Sequence, residues 1–188
     1  MTTADESLYN VLLNGIIKDI DGAWERKSHR ATLILLYCGI DAMAHLTMPA
    51  GKDKATRADF VAWSEKHLHF RDADKKPTQT LPGLELYAAR CALVHTYSTE
   101  ADLHKEGKVT RQIGYGDEML PEVQDSTEVK HLVMVSIRGL VDAFSCGVAA
   151  TIQDIKGDDA RRQLFAARLE KMVHELPFNG RGGPPTSG

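Results

Sequence analysis

The sequence has little of what would place it in several common functional classes. There is no basic excess: 23 Lys and Arg against 26 Asp and Glu leave a formal net charge of -3. Sequence-blind binding to a polyanion normally leaves a basic footprint, so that mode is disfavoured, while one local basic site stays compatible with the balance. Cysteine is scarce. Cys38, Cys91 and Cys146 are the only three, with no CxxC spacing among them. An odd, widely spaced set in apolar sequence surroundings reads as reduced, structural and cytoplasmic. Long hydrophobic runs are missing too. The longest, Leu33 to Ile40, is about half a membrane span and ends at Asp41, so no membrane segment is expected. The opening MTTADES is polar and acidic without a basic n-region, so no signal peptide is expected. The chain also lacks a Walker loop, GxGxxG, HExxH and GxSxG, which argues against phosphate-loop enzymes, zincins and serine hydrolases.

What is present is an ordinary globular balance over 188 residues, 43% hydrophobic and 26% charged. That length suggests one domain able to bury a core without disulfide or metal staples. Apolar spacing is helical almost throughout. Leu8, Val11, Leu12, Ile16, Ile20 and Trp24 mark a first helix. A second spans about Ser28 to Leu46, with Leu33, Leu36, Tyr37, Ile40 and Ala44 on one face and Ile34 and Leu35 beside it, the pattern of a broadly buried central helix. Thr56 with Asp59 resembles a capping box and starts a third, carrying Phe60, Trp63 and His67. Pro82, after Thr80, starts a fourth through Thr96, with Leu84, Tyr87, Cys91 and Val94 or His95 on one side.

The helical period then fades from Ser98 to Asp125, where KVTRQIGYG alternates weakly, as a short hairpin or an extended loop. Ser126 or Thr127 is expected to cap a long fifth helix through Leu132, Val133, Leu140, Val141, Phe144 and Val148. Gly157 separates it from a sixth, with Leu164, Phe165, Leu169, Met172, Val173 and Leu176. The expected fold is all-α: an up-and-down bundle of about five to six helices with one long crossover, a single domain over residues 1–176, and a disordered Gly/Pro-rich tail over 177–188.

Metal ligation has weak support. Asp41 and His45 share a helix face, and His67 and His69 lie near the end of the third helix. Eight histidines give such pairs by chance, and residues two apart on a helix point apart. No metal and no cofactor is expected.

The informative stretch is ELYAARCALVHTYS, Glu85 to Ser98, which sets Arg90 four intervening residues before His95. Spacing alone is weak: Arg168 and His174 form a second such pair, which reads as two exposed residues of an amphipathic helix. The first pair differs in company. Ala88, Ala89 and Ala92 flank Arg90, so its backbone can be closely approached. A permanent charge beside an apolar face needs an anionic partner or an edge position. Two readings stand: Arg90 pairs an acid such as Asp41 or Glu85 while His95 merely ends the helix, or the two form a site.

LLYCGIDAMAHL on the second helix and LYAARCALVHTYS on the fourth carry a resemblance. The chain resembles HEPN-domain proteins, a helical superfamily marked by arginine, four to six residues, then histidine. The likeness covers roughly residues 30 to 116. It implies a metal-independent endoribonuclease, usually a homodimer with the motif at the dimer cleft, with RNA as substrate and Arg90 and His95 as the catalytic pair. It also implies toxin, stress or antiviral roles, with a regulatory or antitoxin protein as partner. Many members place a polar residue directly after the arginine; this chain has Cys91. Tyr97 matches a tyrosine that is adenylylated in toxin members partnered with a nucleotidyltransferase antitoxin; a tyrosine packing on the bundle end is the other reading. Tyr87, Cys91, Tyr97 and Asp41 are candidates to support the pair. Asp41 either orients His95 or Arg90, or is an exposed helix acid paired with a Lys or Arg. A non-catalytic HEPN-like module binding a nucleotide, RNA or protein is the alternative function. Five residues along a helix rotate by about 140°, so Arg90 and His95 converge only if the helix bends or ends near His95, or if two copies face each other.

Overall fold

The computed structural model describes residues 12–71, 76, 81–96, 101–117 and 122–172. Tyr97, His174, Thr80, Leu8, Val11 and the 177–188 tail lie outside the described residues. The chain enters through a π-helical segment, Leu12–Ile17, continuous with α1 (Lys18–Glu25). Then come α2 (His29–Thr47), α3 (Arg57–His67), α4 (Gly83–Thr96) and a short α5 (Asp102–Lys105). Three strands follow, β1 (Gln112–Gly116), β2 (Val123–Asp125) and β3 (Leu132–Ser136). α6 (Ile137–Lys156) and α7 (Asp159–Leu169) end the described fold.

α2 is the central helix. Leu36, Tyr37, Ile40 and Met43 on it are all 0% exposed. Phe60 and Trp63 of α3, Leu140, Phe144 and Val148 of α6, and Phe165 of α7 close around it. Each large side chain so buried contributes about 1.5–3 kcal/mol. The α3 start forms as its sequence suggests: Asp59 Oδ2 accepts from the Thr56 backbone N–H at 2.8 Å and from its hydroxyl at 2.7 Å. Aspartate therefore serves in place of the usual Glu or Gln. Two glycines allow close helix approach. A Cβ at Gly147 of α6 would lie 2.9 Å from the His67 carbonyl oxygen, and one at Gly83 would lie 2.8 Å from that of Val61.

Three expectations are corrected. The architecture is mostly helical but not all-α, because the crossover folds into a three-stranded sheet of order β1-β3-β2. β1 does lie within the weakly alternating stretch, but it is no hairpin: it pairs with β3 in parallel, Gln112 to Leu132 through Gly116 to Ser136. β2 pairs with β3 antiparallel. The fifth helix of the sequence reading also starts later. Leu132 and Val133 lie in β3, and the helix N-cap is Ser136, whose hydroxyl accepts from the Gly139 N–H at 3.0 Å. Ser126 does cap, but a turn: its hydroxyl accepts from Glu128 and Val129 N–H groups. A serine satisfies orphan donors in a turn as readily as at a helix start, so the signal did not distinguish the two. Third, Arg168 is not an exposed helix residue; it is 7% exposed and wedged beneath the end of α2. α7 itself stops at Leu169, while Met172 still packs against the core; Val173 and Leu176 lie outside the described residues.

The buried side of α4 also differs from its expected stripe. Leu86, Ala88, Ala89 and Ala92 are buried, whereas Leu84, Tyr87, Cys91 and Val94 are only half-buried and His95 is exposed. Alanines let the helix sit close to its neighbours, so the bulky stripe falls to the rim. The cysteines are free, but Cys38 and Cys146 are exposed rather than held in the core. No helix among the described residues is long and apolar enough to cross a membrane.

Candidate functional site

The site is built where α4 ends beside α2. Pro82, lacking an N–H, precedes α4, and its carbonyl accepts from Glu85 and Leu86 to start the helix. Leu86 and Ala89 seat α4 against the core, Ala88 and Ala92 pack against Ala101, Leu103 and Val109, and Arg90 faces α2. There Arg90 Nε donates to Asp41 Oδ2 at 2.8 Å, and Nη2 lies 2.7 Å from the same oxygen. The Arg90 and Asp41 side chains are 20% and 32% exposed, so the pair is half-screened from water. Burial pulls the guanidinium pKa down, but the Asp41 hydrogen bond and charge outweigh this and leave it raised.

Arg90 Nη1 also lies 2.9 Å from His95 Nε2. A guanidinium only donates, so His95 Nε2 is the acceptor and the imidazole is neutral in this arrangement. The two residues therefore meet within one chain. The 140° offset is spanned by the long Arg90 side chain, which reaches along the helix to the imidazole. Arg90 thus pairs with an acid and also contacts the histidine. Of the two acids considered, Asp41 takes it. Glu85 instead binds Arg111 of the crossover, at 2.9 and 2.8 Å.

On its other side Arg90 borders an open groove of about 280 Å³ between α2, α3 and α4. Asp41, Thr56, Arg57, Phe60 and Tyr87 are among its other walls. Tyr87 meets Phe60 edge-on, with ring centroids 5.3 Å apart. Burial raises the Tyr87 phenol pKa, and the neighbouring Cys91 adds to the rise. Cys38, one turn from Asp41 on α2, is exposed as a residue, but partial desolvation of its thiol, and then the Asp41 charge, raise its pKa. Both groups are neutral near neutral pH. Tyr37, behind the site, shares a 2.6 Å hydrogen bond with Tyr115 and so ties α2 to β1.

Of the candidates, Asp41, Tyr87, Arg90, Cys91 and His95 come together here, and Tyr97 lies outside the described residues. Thr56, Arg57 and Phe60 were missed as wall residues. Their only sequence signal, a helix start, says nothing of which helix lies opposite. His45 and Asp41 do not form part of a larger ligand set: among the described residues no group of three or more His, Cys, Asp or Glu side chains could hold a metal ion. No family model matches the chain, and no curated protein and no solved structure matches it.

Proposed function

We propose that the chain is a metal-independent endoribonuclease of HEPN type, acting as a homodimer. The observation that carries the reading is the contact of Arg90 with a neutral His95 in a solvent-reachable place, with Asp41 fixing the guanidinium from behind. RNA is cut without metal when its 2′-hydroxyl attacks the adjacent phosphorus. His95 Nε2 takes the hydroxyl proton once a phosphate oxygen has replaced it at Arg90 Nη1. Arg90 stabilises the charge growing on the phosphoryl oxygens. The bond from phosphorus to the 5′-oxygen breaks, and that oxygen takes a proton from a general acid. A second His95, from another copy of the chain, supplies that acid across a two-fold axis. The products are a 2′,3′-cyclic phosphate and a 5′-hydroxyl.

One observation favours a second reading, a non-catalytic module binding a nucleotide, RNA or protein. Asp41 occupies both Nε and Nη2 of Arg90, the edge a phosphate would use for two parallel hydrogen bonds. The acidic balance of the chain points the same way.

Mixed-sequence RNA incubated with the protein in EDTA, beside an Arg90→Ala, His95→Ala double variant, separates the two. The nuclease reading expects cleavage to cyclic-phosphate ends by the parent and a loss of about a hundredfold or more in the variant. Absence of cleavage by the parent, with retained RNA binding, leaves the module. Equal degradation by both proteins means a contaminant and removes the support for a nuclease.

A further inference from the structure

A second notable charge, Arg168, lies away from the Arg90 groove, and the pocket it lines shares no residue with that groove. Arg168 of α7 is 7% exposed. Its acceptors among the described residues are three backbone carbonyls at the end of α2: Leu46 at 3.2 Å and Met48 at 2.5 Å from Nη1, and Pro49 at 3.0 Å from Nη2. These explain its place, since carbonyls at a helix C-terminus attract a cation. They do not use it up. A guanidinium has five N–H donors, and the Nε–H and one on Nη2 have no acceptor among the described residues. Nor do the carbonyls supply a full negative charge, because a helix end is worth only about half of one. The acid that acts on Arg168 from a distance, Asp59, is already held by Lys52 and Thr56. Burial accordingly lowers the Arg168 pKa.

This guanidinium lines a pocket of about 330 Å³ between the end of α2, α6 and α7. The other walls are mainly apolar, including Met48, Ile155, Leu164 and Phe165, and Arg161 adds a second cation. No Asp or Glu lines it. An apolar cavity with a few directed polar groups is the usual form of a small-ligand site, and this one is near the small end of the range, about 300–1,000 Å³. We infer that the pocket is a binding site for a small amphiphilic monocarboxylate. The carboxylate would accept from the Arg168 Nε–H and the second Nη2 hydrogen, which have no acceptor among the described residues, and a short apolar body would lie against Leu164, Phe165 and Met48. One carboxylate has two oxygens for two donors, and its single charge balances a single buried one. A neutral ligand would leave those donors unmet.

Octanoate and 1-octanol are the probes, titrated into the full chain and followed by calorimetry and by the Arg168 Nε–H and Met48 methyl resonances. Octanoate is expected to bind at least about tenfold more tightly than octanol, the factor a charge-assisted hydrogen bond of about 1.5 kcal/mol gives, and to shift both resonances. Removing Arg168 itself threatens folding, so the blocking variant is placed elsewhere. Ala160→Trp fills the pocket from an exposed position on α7 without touching Arg168, and is expected to abolish binding while the protein stays folded. Failure of octanoate to bind, equal affinity for octanol, or unchanged binding in Ala160→Trp would each overturn the site.

Discussion

Arg90 and Arg168 begin alike in the sequence, each an arginine followed five or six residues later by a histidine. The fold gives them opposite surroundings. Arg90 stands half-open at the end of α4, paired with a carboxylate and touching His95. Arg168 is buried against carbonyls, and its acceptors anchor α7 to the end of α2. Between α3 and α6 packing is tight: Trp63 Nε1 donates to Thr151 at 3.1 Å, and Gly147 has no room for a Cβ. Around Arg90 the walls are polar and part-exposed. A repeated spacing therefore identifies neither site; what surrounds the guanidinium does.

The comparison can be tested from its strongest side. Arg168→Ala removes a buried cation and leaves three carbonyls short of a donor, so equilibrium urea unfolding should show a loss of about 3–5 kcal/mol. A loss below about 1 kcal/mol would erase the distinction between the two arginines. Acid should act on the same side. Burial, helped by Lys66, lowers the His67 pKa to about 4, so the folded state keeps it neutral while the unfolded chain protonates below about 6.5. Stability should therefore fall as pH drops from about 6.5 towards 4, by up to about 3 kcal/mol, and level off below that from this group. His67→Asn should flatten that slope; an unchanged slope would assign it elsewhere. Gly147→Ala forces a methyl onto the His67 carbonyl and should cost about 2 kcal/mol in the same unfolding assay. Smallest is Arg90→Ala. Breaking a half-exposed ion pair should cost about 1 kcal/mol or less, although the nuclease reading expects it to remove cleavage. A large stability loss there would make Arg90 a structural residue like Arg168.

How far the sequence reached differs by element. α2 and α3 were legible because their side chains repeat at helical spacing and because Thr56 and Asp59 close a local cap. The sheet was not. LVMVS in β3 has apolar residues that fit either period over so short a run, and its partner β1 lies across the intervening β2. The site was half legible. Arg90 and His95 stand in one helix and could be paired from the chain, whereas nothing local told Asp41 from Glu85 as the acid, or set Thr56, Arg57 and Phe60 opposite.

By itself, then, the sequence determined where α2 and α3 are helical and which residues can carry charge, because period and composition are local properties. Tertiary structure alone decided the partner of each arginine. Hydrogen bonds and burial depend on which distant segment arrives alongside, and α2 arrives beside both: its Asp41 meets Arg90, and its terminal carbonyls meet Arg168.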